Sequence, residues 1–412
     1  MGNLFKIAVR NLLRYKRRTV LTASLITIGV VFVLVFVSVT GSFKKMMIAQ
    51  NTDSMLGQLQ IHRKGYVASI DNLPLNLNLK PEAMARLGKV LNAQPEIEAY
   101  SPRLKFGAMF STFVETTNIR LNGVYPEKEA AVVPLLPARI LEGKKVLDRG
   151  DIWIPELLAK GMKVKIGDTV VIVATNKDGS VNGKQFTVAG IVESITGPGG
   201  RDGYVHFDDA IEVLRTEGTE VSEVAIRLKD FGQLHPFVAK LDTLLAKELN
   251  KQGKPIFEIH SWEKLSPFYN IARIIEVMTF FMKLMLIAIV LVSIMNVMIM
   301  AVYERIREIG TIAAIGTPPR RILAMFLLEG LCLGIGGAIL GNIVGTVIVV
   351  ILDMMKITYD FGRQTGLVLH AEVNPVDIVV LSVIVIIISV IASLQPAFKA
   401  SRMEPIKALK HV

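Results

Sequence analysis

The chain alternates between long apolar runs and polar intervals. Four runs, at 20–41, 272–302, 322–352 and 376–395, reach the roughly 20 apolar residues that a bilayer-crossing helix needs. Around them lie a basic segment at 1–19, a mixed region at 42–271, intervals at 303–321 and 353–375, and a tail at 396–412. The first run carries no charge. It exceeds the roughly 7–15 apolar residues of a secretory signal, and Ser38-Val39-Thr40 is a poor cleavage site. An uncleaved anchor is expected.

Apolar positions at helical steps carry two of the runs beyond the bilayer. Phe43, Met46 and Met47 follow the first. Leu265, Phe268, Ile271, Ile274, Ile275 and Met278 precede the apolar centre of the second, and the period continues into Phe281 and Leu284. Helical stalks are expected there in preference to separate interfacial helices. A stiff, unbroken helix would carry motion across the membrane.

The region 42–271 is large enough to fold by itself, and its patterning is mixed. Glu82 to Leu91 follows a proline at a helix start and places Met84, Leu87 and Leu91 on one face. Val164–Val173 and Gln185–Val192 are β-branched runs around a polar turn. Ile154–Lys160 predicts a helix, Val224–Leu228 a strand and Pro236–Leu249 a second helix. The fold class expected is a multi-pass α-helical membrane protein of four spans. A large α+β domain, in one lobe or two, is inserted between the first two spans. Gly197-Pro198-Gly199-Gly200 reads as a connecting loop.

Composition and charge sharpen this reading. The 51% hydrophobic and 20% charged residues depart only a little from a soluble domain, but their pooling into four bilayer-length runs rules out a soluble cytosolic enzyme. The net charge of +11 suits nucleic acid or an anionic membrane, and its placement favours the membrane. Basic residues gather before the first run, at Arg305, Arg307, Arg320 and Arg321, and in the tail at Lys399, Arg402, Lys407 and Lys410. The positive-inside rule therefore puts both termini and 303–321 in the cytoplasm and 42–271 outside. The single cysteine, Cys332, has no partner for an internal disulfide.

The chemistry of catalysis is missing from the pattern. No G-x-x-x-x-G-K-[ST] loop cradles phosphates, the six histidines are scattered without metal spacing, and no G-x-S-x-G elbow occurs. Any ATP must be bound by another chain. Two ionisable residues sit inside spans, where they are functional candidates by default. Lys283 can snorkel outward; Glu329 needs a partner such as Ser293 or Asn296. Gly330 and Gly334 form one four-residue step, and Gly337, Gly341 and Gly345 repeat it on another face. Such glycines allow close helix packing. Close packing against a neighbour helix is expected, with a second subunit's third or fourth span as one candidate, and a helix bend is the alternative.

The interval 303–321 predicts a short amphipathic helix with Ile306, Ile309 and Ile312 on one side, stopped by Gly316, Pro318 and Pro319. Periodicity alone makes it a membrane-surface helix. Its residues Glu304-Arg305, Arg307-Glu308-Ile309-Gly310 and Ala314-Ile315-Gly316, however, resemble the coupling-helix signature of MacB/FtsX/Lol-type (type VII) ABC transporter permeases. Arg10–Arg14 with Arg17-Arg18-Thr19 is similar to that family's start. Pro396-Ala397, Ala400-Ser401-Arg402, Pro405, Ala408 and Leu409 are similar to its tail. Gly57–Tyr66 and Val164–Asp168 resemble the Lol-like (LolC/LolE) branch. Ala313, where many relatives carry a basic residue, and the paired prolines depart from the pattern.

The resemblance implies mechanotransmission in a bacterial inner membrane. Two copies of a separate cytoplasmic ATPase, holding ATP and Mg, would work a pair of permease subunits through 303–316. The pair would be a homodimer or a heterodimer. The stalks would pass the motion outward to a lipoprotein or other hydrophobic cargo, with a periplasmic adaptor or chaperone as a further partner. No cofactor, metal or nucleic acid is expected on this chain. An FtsX-like signalling permease and a MacB-like exporter are the alternatives. An ion-driven transporter would show inverted repeats, and a simple anchored binding domain needs one span.

Overall fold

The computed structural model describes residues 2–196, 199–216, 218–361 and 364–404. The chain forms two compact units. One comprises 1–44, 273–359 and 368–412, and the other 45–272 with 360–367.

The first unit is a helical membrane assembly. An amphipathic N-terminal helix, Gly2–Arg14, precedes four long helices: Lys16–Asn51, Phe268–Glu304, Pro319–Met354 and Pro375–Ser401, called below the first to fourth spans. All four are long and apolar enough to cross a bilayer. The first runs on through a π turn, Thr52–Leu56, as 41 uninterrupted residues. At 1.5 Å per residue that is about 60 Å, twice a ~30 Å hydrocarbon core. The second begins at Phe268, so the extensions of both runs are continuous helix except at Leu265, which lies in the separate short helix Trp262–Leu265 because Ser266 is extended. The fourth passes through Pro396 to Ser401, beyond the end expected at Gln395. Pro396 and the buried Ala397 and Ala400 keep this last stretch packed. Ile26, Val30, Leu34, Leu286, Val290, Phe326 and Val385 are all shielded in the same core.

The glycines of the third span explain how closely these helices approach. A Cβ placed on Gly330 would fall 1.7 Å from Ser393 Oγ, and one on Gly334 2.3 Å from Ser389 Oγ. On the other face, Gly337, Gly341 and Gly345 would meet Ile26, Val30 and Leu34 at 2.5, 2.6 and 2.8 Å. The first and fourth spans of the same chain therefore occupy both stripes: the glycines serve close packing against neighbour helices, and those neighbours belong to this chain. The two serines turn their hydroxyls onto carbonyls of their own helix, Ser389 to Val385 O at 2.6 Å and Ser393 to Ser389 O at 2.7 Å, which satisfies them away from water.

The second unit is an α+β domain built on one ten-stranded sheet among the described residues. Its order runs Phe257–Ser261, Leu59–Arg63, Glu223–Leu228, Ile97–Ser111, Thr116–Val124, Gly203–His206, Asp151–Pro155, Val181–Val192, Ile140–Gly143. Thr169–Thr175 pairs with both Ile97–Ser111 and Val181–Val192, closing six strands into a ring. A single sheet thus joins what the sequence left open as two lobes. The helix Pro81–Asn92 starts on Pro81 and buries Ala83, Leu87 and Leu91. Leu234–Leu245 buries Leu234, Phe237, Leu241 and Leu245.

Three local expectations change. Val164–Asp168 is a turn and not the start of a strand, because Lys163 (φ 55°) and Gly167 (φ 88°) take left-handed conformations. Ile154–Pro155 belongs to a strand, and the helix begins only at Glu156. The long hairpin Ile97–Ser111/Thr116–Val124 was not anticipated. Of the Gly197–Gly200 loop, positions 197 and 198 lie outside the described residues.

Candidate functional site

The second span ends at Glu304 because Arg305 (φ −114°, ψ 20°) leaves helical geometry and caps the next helix, Ile306–Ala314. This connector helix buries Ile306, Ile309 and Gly310 and turns Arg307, Thr311, Ala314 and Ile315 outward. Ile315 is 81% exposed. At the far end Gly316 adopts φ +93°, with Thr317 N–H reaching Ile312 O at 3.2 Å and Gly316 N–H reaching Ala313 O at 3.0 Å. That is a Schellman cap, for which a left-handed glycine is the favoured residue. Pro318, extended, then seats Pro319 as the first residue of the third span.

A buried carboxylate anchors the start of this helix. Arg305 Nη1 meets Glu329 Oε1 at 2.9 Å and Arg305 Nε meets Glu308 Oε2 at 3.0 Å, while the guanidinium lies over the Phe326 ring at 5.7 Å. Burial opposes the charge on Arg305, but Glu329 and Glu308 outweigh it and hold its pKa above the usual value. Asn11 Nδ2 donates to the same Glu329 oxygen at 2.7 Å. The N-terminal helix, the connector and the third span therefore converge on one carboxylate. Two further pairs run from the N-terminal segment: Arg14 to Glu308 at 3.2 Å and Arg18 to Glu304 at 2.8 Å. On the opposite flank Lys399 Nζ donates to Tyr303 Oη at 3.1 Å.

The residues singled out in the sequence thus divide. Glu304, Arg305, Glu308, Ile309 and Gly310 hold the connector to its own chain, Gly316 ends it, and Arg307 faces outward. Glu329 takes Arg305 and Asn11 as partners, in place of the Ser293 or Asn296 expected, because the connector and the N-terminal helix reach its level from the span's end. Lys283 is half-buried and has no hydrogen-bond or ion-pair partner among the described residues. In the tail Ala400 is buried and Arg402 stacks on Phe398 at 4.3 Å; Pro405, Ala408 and Leu409 lie outside the described residues. Asn11, Arg14 and Arg18 were read as part of a basic segment similar to the family's start, with no partners assigned to them. Their spacing along one helical side was the available signal. Among the described residues no cluster of three metal-ligating side chains occurs.

The FtsX-like permease C-terminal domain matches residues 280–405, and the MacB-like periplasmic core domain matches 19–244. The chain belongs to this ABC transporter permease family. Within the family, it is 22% identical to the lipoprotein-releasing system transmembrane protein LolC of Neisseria meningitidis serogroup B, over 95% of this chain and 94% of that one. Similarity to LolE of Haemophilus influenzae is 23%, over 78% of this chain and 80% of the relative. The macrolide export ATP-binding/permease protein MacB of Nitrobacter winogradskyi is 28% identical over 56% of this chain, which spans only 34% of that protein. Among solved structures, the periplasmic region of MacB from Actinobacillus actinomycetemcomitans covers 50% of this chain and 89% of its own at 13% identity, with a TM-score of 0.34. By its family models and its LolC and LolE relatives, the present chain is a type VII permease with four apolar helices and a MacB-like inserted domain.

Proposed function

We propose that this permease is the membrane half of a machine driven by a separate ATPase on the cytoplasmic side of the inner membrane, and that it mobilises a lipoprotein or similar hydrophobic cargo at the outer side. The observation that carries the reading is the connector helix. Its inner side is held to the spans through Arg305 and Glu329, and on its outer side Arg307, Thr311, Ala314 and Ile315 are exposed. A two-copy ATPase pressing on that side would move the N-terminal helix and the third span together, since both hold the same carboxylate. The long helices Lys16–Leu56 and Phe268–Glu304 would carry the displacement toward the inserted domain. The resemblance to LolC along nearly the whole chain supports lipoprotein release. Higher identity over half the chain, 30% with the pyoverdine export protein PvdT of Pseudomonas putida, favours export as the second reading.

Purification of the full chain in mild detergent tests the proposal. A P-loop ATPase is expected in stoichiometric amount. Arg307→Glu with Ile315→Asp is expected to weaken its retention about tenfold, a ~1.4 kcal/mol loss, with the variant still inserted. Undiminished retention by that variant overturns the docking role. A fluorescent triacylated lipopeptide released on ATP addition favours lipoprotein handling, and transport of a small siderophore-like solute favours export.

A further inference from the structure

The first long helix does not fray where it enters the inserted domain. A helix leaves its last four carbonyls without intrahelical donors, and here later parts of the domain supply donors to three of them, those of Asp53, Ser54 and Leu56. Gly57 N–H closes the π turn itself on Thr52 O at 3.0 Å, and Leu135 N–H reaches Asp53 O at 2.8 Å. Arg139 Nη1 donates to Ser54 O at 3.0 Å. Leu56 O accepts Gln60 Nε2 at 2.8 Å and Arg103 Nη1 at 3.4 Å. Arg227 Nη1 meets the Asp53 carboxylate at 2.7 Å.

Three guanidiniums therefore converge on the negative end of a helix dipole. Arg103 and Arg139 are only 2% and 5% exposed. Each arginine is tied to a different part of the domain. Arg103 holds Glu129 and Glu223 at 2.7 and 2.9 Å, Arg139 also reaches Glu193 O at 2.8 Å, and Arg227 reaches Glu98 at 3.1 Å. Gly57, at φ +77°, turns the chain directly into the strand Leu59–Arg63, where a Cβ would press on Val132 and Ala225 at 3.2 and 3.3 Å.

A loosely capped helix end absorbs a pull by unwinding; one gripped from several strands passes it on. We infer that Arg103, Arg139 and Arg227 are positioning residues of the transport cycle, clamping the end of the first long helix so that its displacement becomes displacement of the sheet. The inference rests on the proposed function and adds the point at which force enters the domain.

Arg139→Gln with Arg227→Gln leaves Arg103 and its carboxylates in place, and Arg139→Lys is the conservative comparison. The full chain, purified with its accompanying ATPase, is read in two ways. One is amide exchange across residues 52–58; the other is release of a fluorescent triacylated lipopeptide per ATP hydrolysed. The double variant is expected to exchange about tenfold faster at those amides and nowhere else in the domain. Its hydrolysis is expected to be unchanged and its release per ATP about tenfold lower, with Arg139→Lys near wild type. Unchanged protection overturns the clamp, and so does lost protection with release per ATP intact. If the wild-type complex hydrolyses ATP and releases nothing, the transport reading fails alone. The clamp is then judged on the strand Ile97–Ser111, where an ATP-dependent change in exchange that persists in the double variant overturns it. Should the double variant unfold, Arg227→Gln alone is read on the same scales.

Discussion

Arg305 in the membrane unit and Arg103 in the inserted domain are each buried against two carboxylates, yet their surroundings differ. The partners of Arg103, Glu129 and Glu223, are 3% and 0% exposed, and Ser101, Lys105 and His62 join the set. Its most exposed charge, Lys105, is 13% exposed. Arg305 has one enclosed partner, Glu329, and one that is 41% exposed, Glu308, which in turn meets the exposed Arg14. Its network opens to solvent on one side. A closed network fixes a fold, because removing any member strands a charge. An open-ended one can trade its outer partners while keeping its inner one, which suits the proposed coupling role of this helix.

Breaking the closed network has the largest expected effect. Arg103→Met leaves Glu129 without its counter-charge and Glu223 with Lys105 and His62 alone, and is expected to destabilise the inserted domain by about 3–5 kcal/mol. Both tryptophans, Trp153 and Trp262, belong to that domain, so the unfolding midpoint read by tryptophan emission in the full chain checks it. Glu329→Gln comes next. With the enclosed counter-charge lost, Arg305 keeps only the partly exposed Glu308 as an ion-pair partner, and ATP-driven release is expected to fall about tenfold. Tryptophan-monitored stability should stay unchanged, which separates the two networks.

Acidification distinguishes them more finely. Burial pushes the Glu223 carboxyl up, but Lys105, His62 and Arg103 outweigh burial and hold it well below the usual range. A carboxylate depressed in the folded state contributes fully above its unfolded pKa of about 4.3 and loses that contribution as pH falls. The domain's stability should therefore drop below about pH 4.3, and less steeply in Glu223→Gln. The smallest effect belongs to Arg14→Ala. An exposed ion pair is worth below ~1 kcal/mol, so any loss of ATPase stimulation should vanish in high salt.

Much of this was legible in the sequence where one period ran long. The spans, the stalk continuations and the connector helix each repeat apolar residues over several turns. The hairpin Ile97–Ser111/Thr116–Val124 escaped because Pro102, Arg103 and Lys105 interrupt its alternation. They do so for a reason visible only in three dimensions: residues 101–104 are buried on both sides of the strand, and the charge of Arg103 is matched by residues 26 and 120 positions away. Glu329 announced itself as unusual, but its partners, Asn11 and Arg305, lie 318 and 24 positions away. Spacing within a span cannot reveal such pairings. The glycine stripes were legible as stripes, whereas the identity of the helices filling them required the packed assembly.

The meeting of Gly330 and Gly334 with Ser393 and Ser389 has a consequence for how this protein can vary. Each hydroxyl occupies the volume that a methyl group on the opposite helix would claim, so neither partner can enlarge by itself. The fit is reciprocal, and bulk can be moved across it: serine at 334 together with glycine at 389 restores the same summed volume. Substitutions at this seam should be tolerated as matched exchanges between the two helices, and drift at one position alone should be blocked.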